Sequence, residues 1–287
     1  MYALLRIHTR SRFLFFLLIG VAIVWVQVLR TSTLGPLTVA FLDVGQGDAL
    51  FIETPGGRQI LIDAGKDRAV LAQLGAMMPL SDRTLDLAIA THPDADHIGG
   101  FVFVLPHYDV TTSMETDSVA DTKVYAAVQR AAAQAGMARI TASRGMRVVA
   151  DHGVVLEVLA PETGMFDGET NAHSIVARLT YGTTSFLLTG DAPRTVEHAL
   201  VERDAGLLRA DVLKVGHHGS RTSTSERFLA AVAPTLAVIS VGGDNRYGHP
   251  HEVVLDSLAH FGLPVLRTDE DGAIILKSDG TQIIRSR

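Results

Sequence analysis

The chain has 287 residues, a formal charge of −6 from 25 basic and 31 acidic side chains, and no cysteine. That length accommodates one large domain with its own core, and the acidic balance excludes broad electrostatic wrapping of nucleic acid while leaving room for a local basic patch. Without cysteine there is neither a disulfide framework nor a thiolate zinc site, so any metal has to be held by imidazole, carboxylate or water.

In chain order the first element is an apolar run, Phe13 to Leu29, in which only Gln27 is polar and which follows Arg6, Arg10 and Arg12. Roughly 17 to 25 apolar residues span a bilayer as a helix, and a basic flank stays cytoplasmic. The pattern predicts a single transmembrane signal anchor within residues 1–36, closed by the linker TSTLGP, with residues 37–287 membrane-anchored and extracytoplasmic. A cleaved signal peptide, which would leave the protein secreted, is the alternative.

From Leu37 onward short β-rich runs alternate with helical patterns. LTVAFLDVG, DALFIET and RQILIDAG read as strands, with TPGG as a hairpin connection. RAVLAQLGAMM reads as a helix, LDLAIATH as a buried strand, and KVYAAVQRAAAQAG as a helix stopped at Gly136. MRVVADHGVVLEVLAP reads as two strands around His152 and Gly153. FIETPGGRQILIDAG and VARLTYGTTSFLLTGDA share one plan: strand, glycine turn, strand, then an aspartate in a small-residue corner, each followed by a helical pattern. Two such halves predict an α/β fold with two sheets face to face and helices on the outer faces.

The segment THPDADHIGG places His92, Asp94, Asp96 and His97 directly after a buried strand, with Pro93 forcing a turn and Gly99 and Gly100 allowing close packing. Alternate residues of an extended turn face the same side, so His92 and Asp94 converge on one ion while Asp96 and His97 face another. Four ligand-type residues in six positions suit two metals; the plain alternative is a solvated loop with Asp96 as a helix cap.

This segment resembles the signature loop of the metallo-β-lactamase fold, H-x-H-x-D-H, with Asp94 where the second histidine usually stands. Together with FLDVGQGDA, LLTGDA, LKVGHHGS and NRYGHPH it resembles the hydrolase domain of the ComEC competence proteins and their stand-alone relatives, over nearly everything from Leu37 to the carboxyl end. The resemblance implies a four-layer αββα sandwich. It implies that Asp63 orients the loop by hydrogen bonds, with Asp48 in a similar supporting place, and that Asp191 bridges two cations. It matches Asn171 and Ser174 to an N-x-x-S variant of the third motif, in which His173 is an extra imidazole. The resemblance does not extend to the multi-helix channel portion of full ComEC proteins.

Within LKVGHHGS, His217 or His218 completes the second metal position, and Ser220 and Thr222 offer hydroxyls to a phosphate oxygen or cap the following helix. After the run LAVISV, Asn245 and Arg246 are candidate substrate contacts, Arg246 because a guanidinium matches two phosphate oxygens, and His249 is a candidate proton donor. Asp96, Asp191 and His249 carry the catalysis in this reading. The cofactors expected are two divalent ions, Mn²⁺ or Zn²⁺ with Mg²⁺ credible, because an aspartate in place of imidazole hardens the site. The expected function is a metal-dependent phosphodiesterase or nuclease on DNA, with DNA-uptake machinery as a candidate partner. Hydrolysis of a phosphocholine-type ester or a lactam, or a non-catalytic DNA-binding or partner-binding module, are the alternatives.

Overall fold

The computed structural model describes residues 15–22, 25, 34–162 and 169–286. A compact unit spans Pro36–Arg287, apart from an amino-terminal one. Of the amino-terminal unit, residues 15–22 are helical and exposed. No helix among the described residues is long and apolar enough to cross a membrane. This corrects the membrane-anchored, extracytoplasmic location expected above. Spanning needs about 20 residues of continuous apolar helix, and hydropathy counts apolar residues without establishing that length of helix. The remainder of Phe13 to Leu29, with its flank Arg6, Arg10 and Arg12, lies outside the described residues.

The larger unit holds two sheets. The first combines β1 (Leu37–Phe41), β2 (Leu50–Glu53), β3 (Gln59–Ile62), β4 (Thr84–Ala90), β5 (Asp109–Glu115), β6 (Ala138–Thr141), β14 (Ile274–Ser278) and β15 (Ile283–Ser286) in the order β15-β14-β1-β2-β3-β4-β5-β6. The second combines β7 (Arg147–Val149), β8 (Val155–Ala160), β9 (Val176–Tyr181), β10 (Thr184–Leu188), β11 (Val212–Lys214), β12 (Leu236–Ile239) and β13 (Val265–Arg267) in the order β13-β12-β11-β10-β9-β8-β7. Alternation along the strands builds the layers. Leu50 and Ile52 of β2 enter the core between the sheets with Phe186 and Leu188 of β10, while Phe51 and Leu187 face outward. The outward face of the first sheet is covered by α1 (Ala69–Met77), α2 (Ala95–Ile98), α3 (Phe101–Val104) and α4 (Lys123–Ala135). That of the second is covered by α5 (Arg194–Leu208), α6 (Glu226–Val232) and α7 (Glu252–His260). The result is the αββα sandwich.

Local signals account for the element ends. Thr122 caps α4, its side chain accepting from the Tyr125 N–H, and Gly136 closes the helix in the left-handed conformation at φ 67°. Ser225, and not Ser220 or Thr222, caps α6 by accepting from the Phe228 N–H.

Strands β3 to β6 pair in parallel, as do β10 to β13. Parallel neighbours need a crossover, which the outer helices supply, and crossovers leave irregular loops at the carboxyl ends of the strands. Asp63 follows β3, the His92 to His97 segment follows β4, Asp191 follows β10, His217 and His218 follow β11, and the 242–249 loop follows β12.

Candidate metal centre

Several of these loops take backbone conformations that side chains ordinarily avoid. Asp63, His217 and His218 have φ of 57°, 50° and 54°. Left-handed non-glycine residues cost about 1–3 kcal/mol each and persist where the surroundings over-determine them. At Asp63 the surroundings are explicit. Its Oδ1 accepts from the Thr91 N–H at 2.8 Å, and its Oδ2 accepts from the Thr91 hydroxyl at 2.7 Å and from His97 Nδ1 at 2.8 Å.

That last bond decides the chemistry of His97. With its proton on Nδ1, the ring turns an Nε2 lone pair toward Asp191 Oδ2, 3.3 Å away, and His218 Nε2, also 3.3 Å away. His218 is set the same way: Nδ1 donates to the Ser240 carbonyl at 2.9 Å, and Nε2 lies 3.4 Å from both Asp191 Oδ2 and Asp96 Oδ2. His92 is fully buried, with Nδ1 3.0 Å from the Thr91 hydroxyl and Nε2 3.8 Å from Asp94 Oδ2. Its Nε2 and Asp191 Oδ1 are buried without a hydrogen-bond partner.

Buried atoms of this kind cost free energy unless something satisfies them. Burial pushes His97 down, but the carboxylates of Asp191 and Asp63 outweigh it and raise it well above the ordinary value. His218 is likewise raised to about 10 against its burial, by Asp191 and Asp48. Burial pushes Asp191 up, but His218 and His97 hold it well below the usual carboxylate range. Two imidazolium N–H groups facing each other at 3.3 Å repel. A divalent cation between the lone pairs would satisfy both nitrogens and the Asp191 carboxylate together, so the donor set fits a metal. Oxygen and imidazole donors without thiolate suit Mn²⁺, Zn²⁺ or Mg²⁺.

Asp48, His97, Asp191 and His218 each bring one donor atom within 4.8 Å of the others. Asp48 nevertheless faces the Nδ1 edges of the rings, 3.4 Å from His218 and 3.8 Å from His97, opposite the edges that meet Asp191. It is also ion-paired with Lys214, which is as buried as Asp48 and donates to the Gly190 carbonyl at 3.0 Å. Burial pushes Asp48 up, yet the Lys214 ammonium and His218 lower it to about 2. Sequence reasoning missed Lys214; the available signal was a lysine inside the apolar run ADVLKVG.

The other expected residues fall at graded distances. Asp94 accepts from the Thr170 hydroxyl at 2.6 Å. His217 turns Nε2 toward Asp191 Oδ2 at 3.8 Å, with Nδ1 3.1 Å from the Thr222 hydroxyl and 3.5 Å from Asn171 Nδ2. Ser174 accepts from the Asp191 N–H at 3.2 Å. His173 turns out of this group, with Nδ1 3.5 Å from Asp117. Ser220 is buried and accepts from Thr222, while Asn245 is engaged within its own loop and Arg246 is exposed. The His249 ring stands 5.5 Å from that of His217. Burial and the charges of His218 and His217 push His249 down to about 4.

The profile of the Metallo-beta-lactamase superfamily matches residues 42–243. ComE operon protein 3 of Bacillus subtilis (strain 168) is 34% identical over 253 residues, covering 82% of this chain and 32% of its own length. Competence protein ComA of Neisseria gonorrhoeae is 34% identical over 241 residues, covering 82% of this chain and 31% of its own. The chain thus spans about a third of the length of these curated relatives. Among solved structures, CmlA, a diiron beta-hydroxylase from Streptomyces venezuelae, superposes with a TM-score of 0.57 over 88% of this chain and 54% of that one, at 14% identity, which is a likeness of fold.

Proposed function

The chain belongs to the metallo-β-lactamase superfamily, whose members are in general metal-dependent hydrolases, and from that premise we propose that it is a metal-dependent phosphodiesterase that cleaves DNA in competence-related DNA handling. The observation that carries the reading is the convergence of His97 Nε2, His218 Nε2 and Asp191 Oδ2 within 3.4 Å of one another, with the unpartnered Nε2 of His92 beside them.

His92 and Asp94 would hold one divalent ion, and Asp96, His97 and His218 the other, with Asp191 shared and His217 within reach of it. When bound, such ions supply Lewis acidity and lower the pKa of a water toward neutrality. The chain's own residues do the positioning. Asp63 fixes the tautomer of His97, Ser240 that of His218, and Ser174 holds the backbone of Asp191. His249, whose ring stands 5.5 Å from that of His217, would exchange a proton with the reacting groups. Arg246 and Arg221, both exposed, supply guanidinium groups for a phosphodiester's free oxygens. The absence of thiolate and the aspartate-rich donor set favour a hard divalent ion such as Mn²⁺ or Mg²⁺ beside Zn²⁺. Kinship with competence proteins favours DNA among phosphodiesters.

The test is cleavage of labelled single- and double-stranded DNA with Mn²⁺, Mg²⁺ or Zn²⁺ added, beside an Asp191→Ala control. Metal-dependent cleavage that the control lacks is expected. A metal-loaded protein that cuts no DNA, RNA or model diester refutes the reading.

A further inference from the structure

The loop beyond β12 presents an aromatic side chain for which the proposed reaction has no use. Tyr247 is 51% exposed and belongs to none of the core clusters. Its ring nevertheless lies nearly parallel to that of His249, with centroids 5.6 Å apart and planes at 22°. The His249 ring in turn stands 5.5 Å from His217 and 6.3 Å from His218. A row of rings therefore runs from a buried donor of the metal centre out to solvent.

Asn245 holds that row in place. Its Oδ1 accepts from the backbone N–H of Tyr247 at 3.2 Å and of His249 at 2.9 Å, and its Nδ2 donates to the carbonyls of Gly242 and His249, both at 2.7 Å. These four bonds use the full capacity of the amide. The backbone that carries the ring is thus held by local hydrogen bonds. Two cations accompany the row. The Arg246 guanidinium lies over the Tyr247 ring, 5.3 Å from its centroid, and donates to its hydroxyl at 3.3 Å, so a base that stacks on this ring does so beside or in place of that side chain. Arg221 lies 3.1 Å from His251, whose ring is 4.9 Å from His249.

We propose that Tyr247 is a nucleobase-stacking platform that seats one base of a single-stranded nucleic acid beside the scissile phosphodiester. The inference rests on the phosphodiesterase reading and deepens it by naming the form of the substrate. Single-strand sites combine a cationic track for phosphates with aromatic faces for bases. In a duplex the base faces are stacked on each other, so such a platform selects single strands and unpaired ends. A net charge of −6 gives no general attraction to nucleic acid, so selection has to come from local contacts of this kind.

The experiment measures binding of labelled oligothymidylate, and of an abasic oligomer of the same length, by fluorescence anisotropy. It uses the full chain with chelator present, so that nothing is cleaved. Tyr247→Ala is expected to weaken oligothymidylate binding about tenfold while leaving the abasic oligomer unchanged. Tyr247→Phe is expected to stay within about twofold of the natural protein, and Tyr247→Trp to equal or exceed it. An alanine variant that loses nothing, or loses equally on both oligomers, overturns the platform, and so does failure of the natural protein to bind oligothymidylate. Hydrolysis of bis(4-nitrophenyl) phosphate by the metal-loaded natural protein tests the phosphodiesterase reading separately. Turnover there, with no base-dependent loss in the alanine variant, overturns the platform alone.

Discussion

Asp63 and Lys214 control the centre without facing the side on which its imidazole nitrogens converge. Asp63 accepts from both Thr91 groups and from His97, so its removal frees the ring that it orients. Asp63→Asn should lower metal affinity by about 10- to 100-fold, the usual cost of losing an outer partner of a metal-binding histidine; isothermal calorimetry would read it, and an unchanged affinity would deny Asp63 that role. Lys214→Met leaves the buried Asp48 carboxylate without its ammonium partner, facing only the Nδ1 edges of His218 and His97, and breaking a buried pair in this way costs about 3–5 kcal/mol. Urea denaturation of the metal-free protein should show that loss, and Lys214→Met combined with Asp48→Asn should recover most of it. Protons give a third expectation. His218 is raised from 6.5 to about 10. In the metal-free protein its charge therefore stabilises the fold fully below pH 6.5, and that contribution is lost as pH rises through about 10. Metal binding needs the lone pair, so affinity should run the other way and strengthen with pH over the same interval. Calorimetry at pH about 7 in buffers of different ionisation heat should detect proton release on binding; buffer-independent heats would contradict it.

At the scale of elements, the loop joining β1 to β2 works by close approach. Gly47 has φ 127°, and a Cβ there would lie 2.1 Å from the Asp96 carbonyl oxygen, while the Asp48 N–H donates to that same oxygen at 3.2 Å. Gly47→Ala should therefore displace the Asp96 turn and weaken metal binding, with a stability loss of about 1–3 kcal/mol from backbone strain alone; a melting curve with and without metal checks both. Most elements were legible because their signals are local. Thr122 and Gly136 bracket α4, and the apolar run before His92 is β4. The His92 to His97 cluster was legible for the same reason. What escaped were relations between distant segments. The burial of Lys214 depends on Asp48 from the other sheet, and the setting of His218 depends on the Ser240 carbonyl. The turning of His173 toward Asp117, and the engagement of Asn245 within its own loop, likewise depend on folded geometry that residue spacing does not encode.

On the scale of the whole molecule, the two sheets contribute different halves of the centre. His92, Asp96 and His97 follow a strand of the first sheet, and Asp191 and His218 follow strands of the second. Metal held by both should fasten them together: at a hundredfold excess over its dissociation constant, a ligand specific for the native state adds about 2.7 kcal/mol. Calorimetric scans should show a higher melting temperature with metal, returned to the starting value by chelator; coincident scans would mean that the native state holds no metal. The matching hairpins β2–β3 and β9–β10 each deliver an aspartate, Asp63 and Asp191, at the same point of the plan. One is turned to the protein and the other to the converging nitrogens. Because these donors stand in loops beyond the strand ends, the apolar layers are free to exchange one side chain for another of similar volume without touching the chemistry. Scaffold and chemistry thus reside in separate parts of the chain, the one in the packed strands and the other in a few short turns.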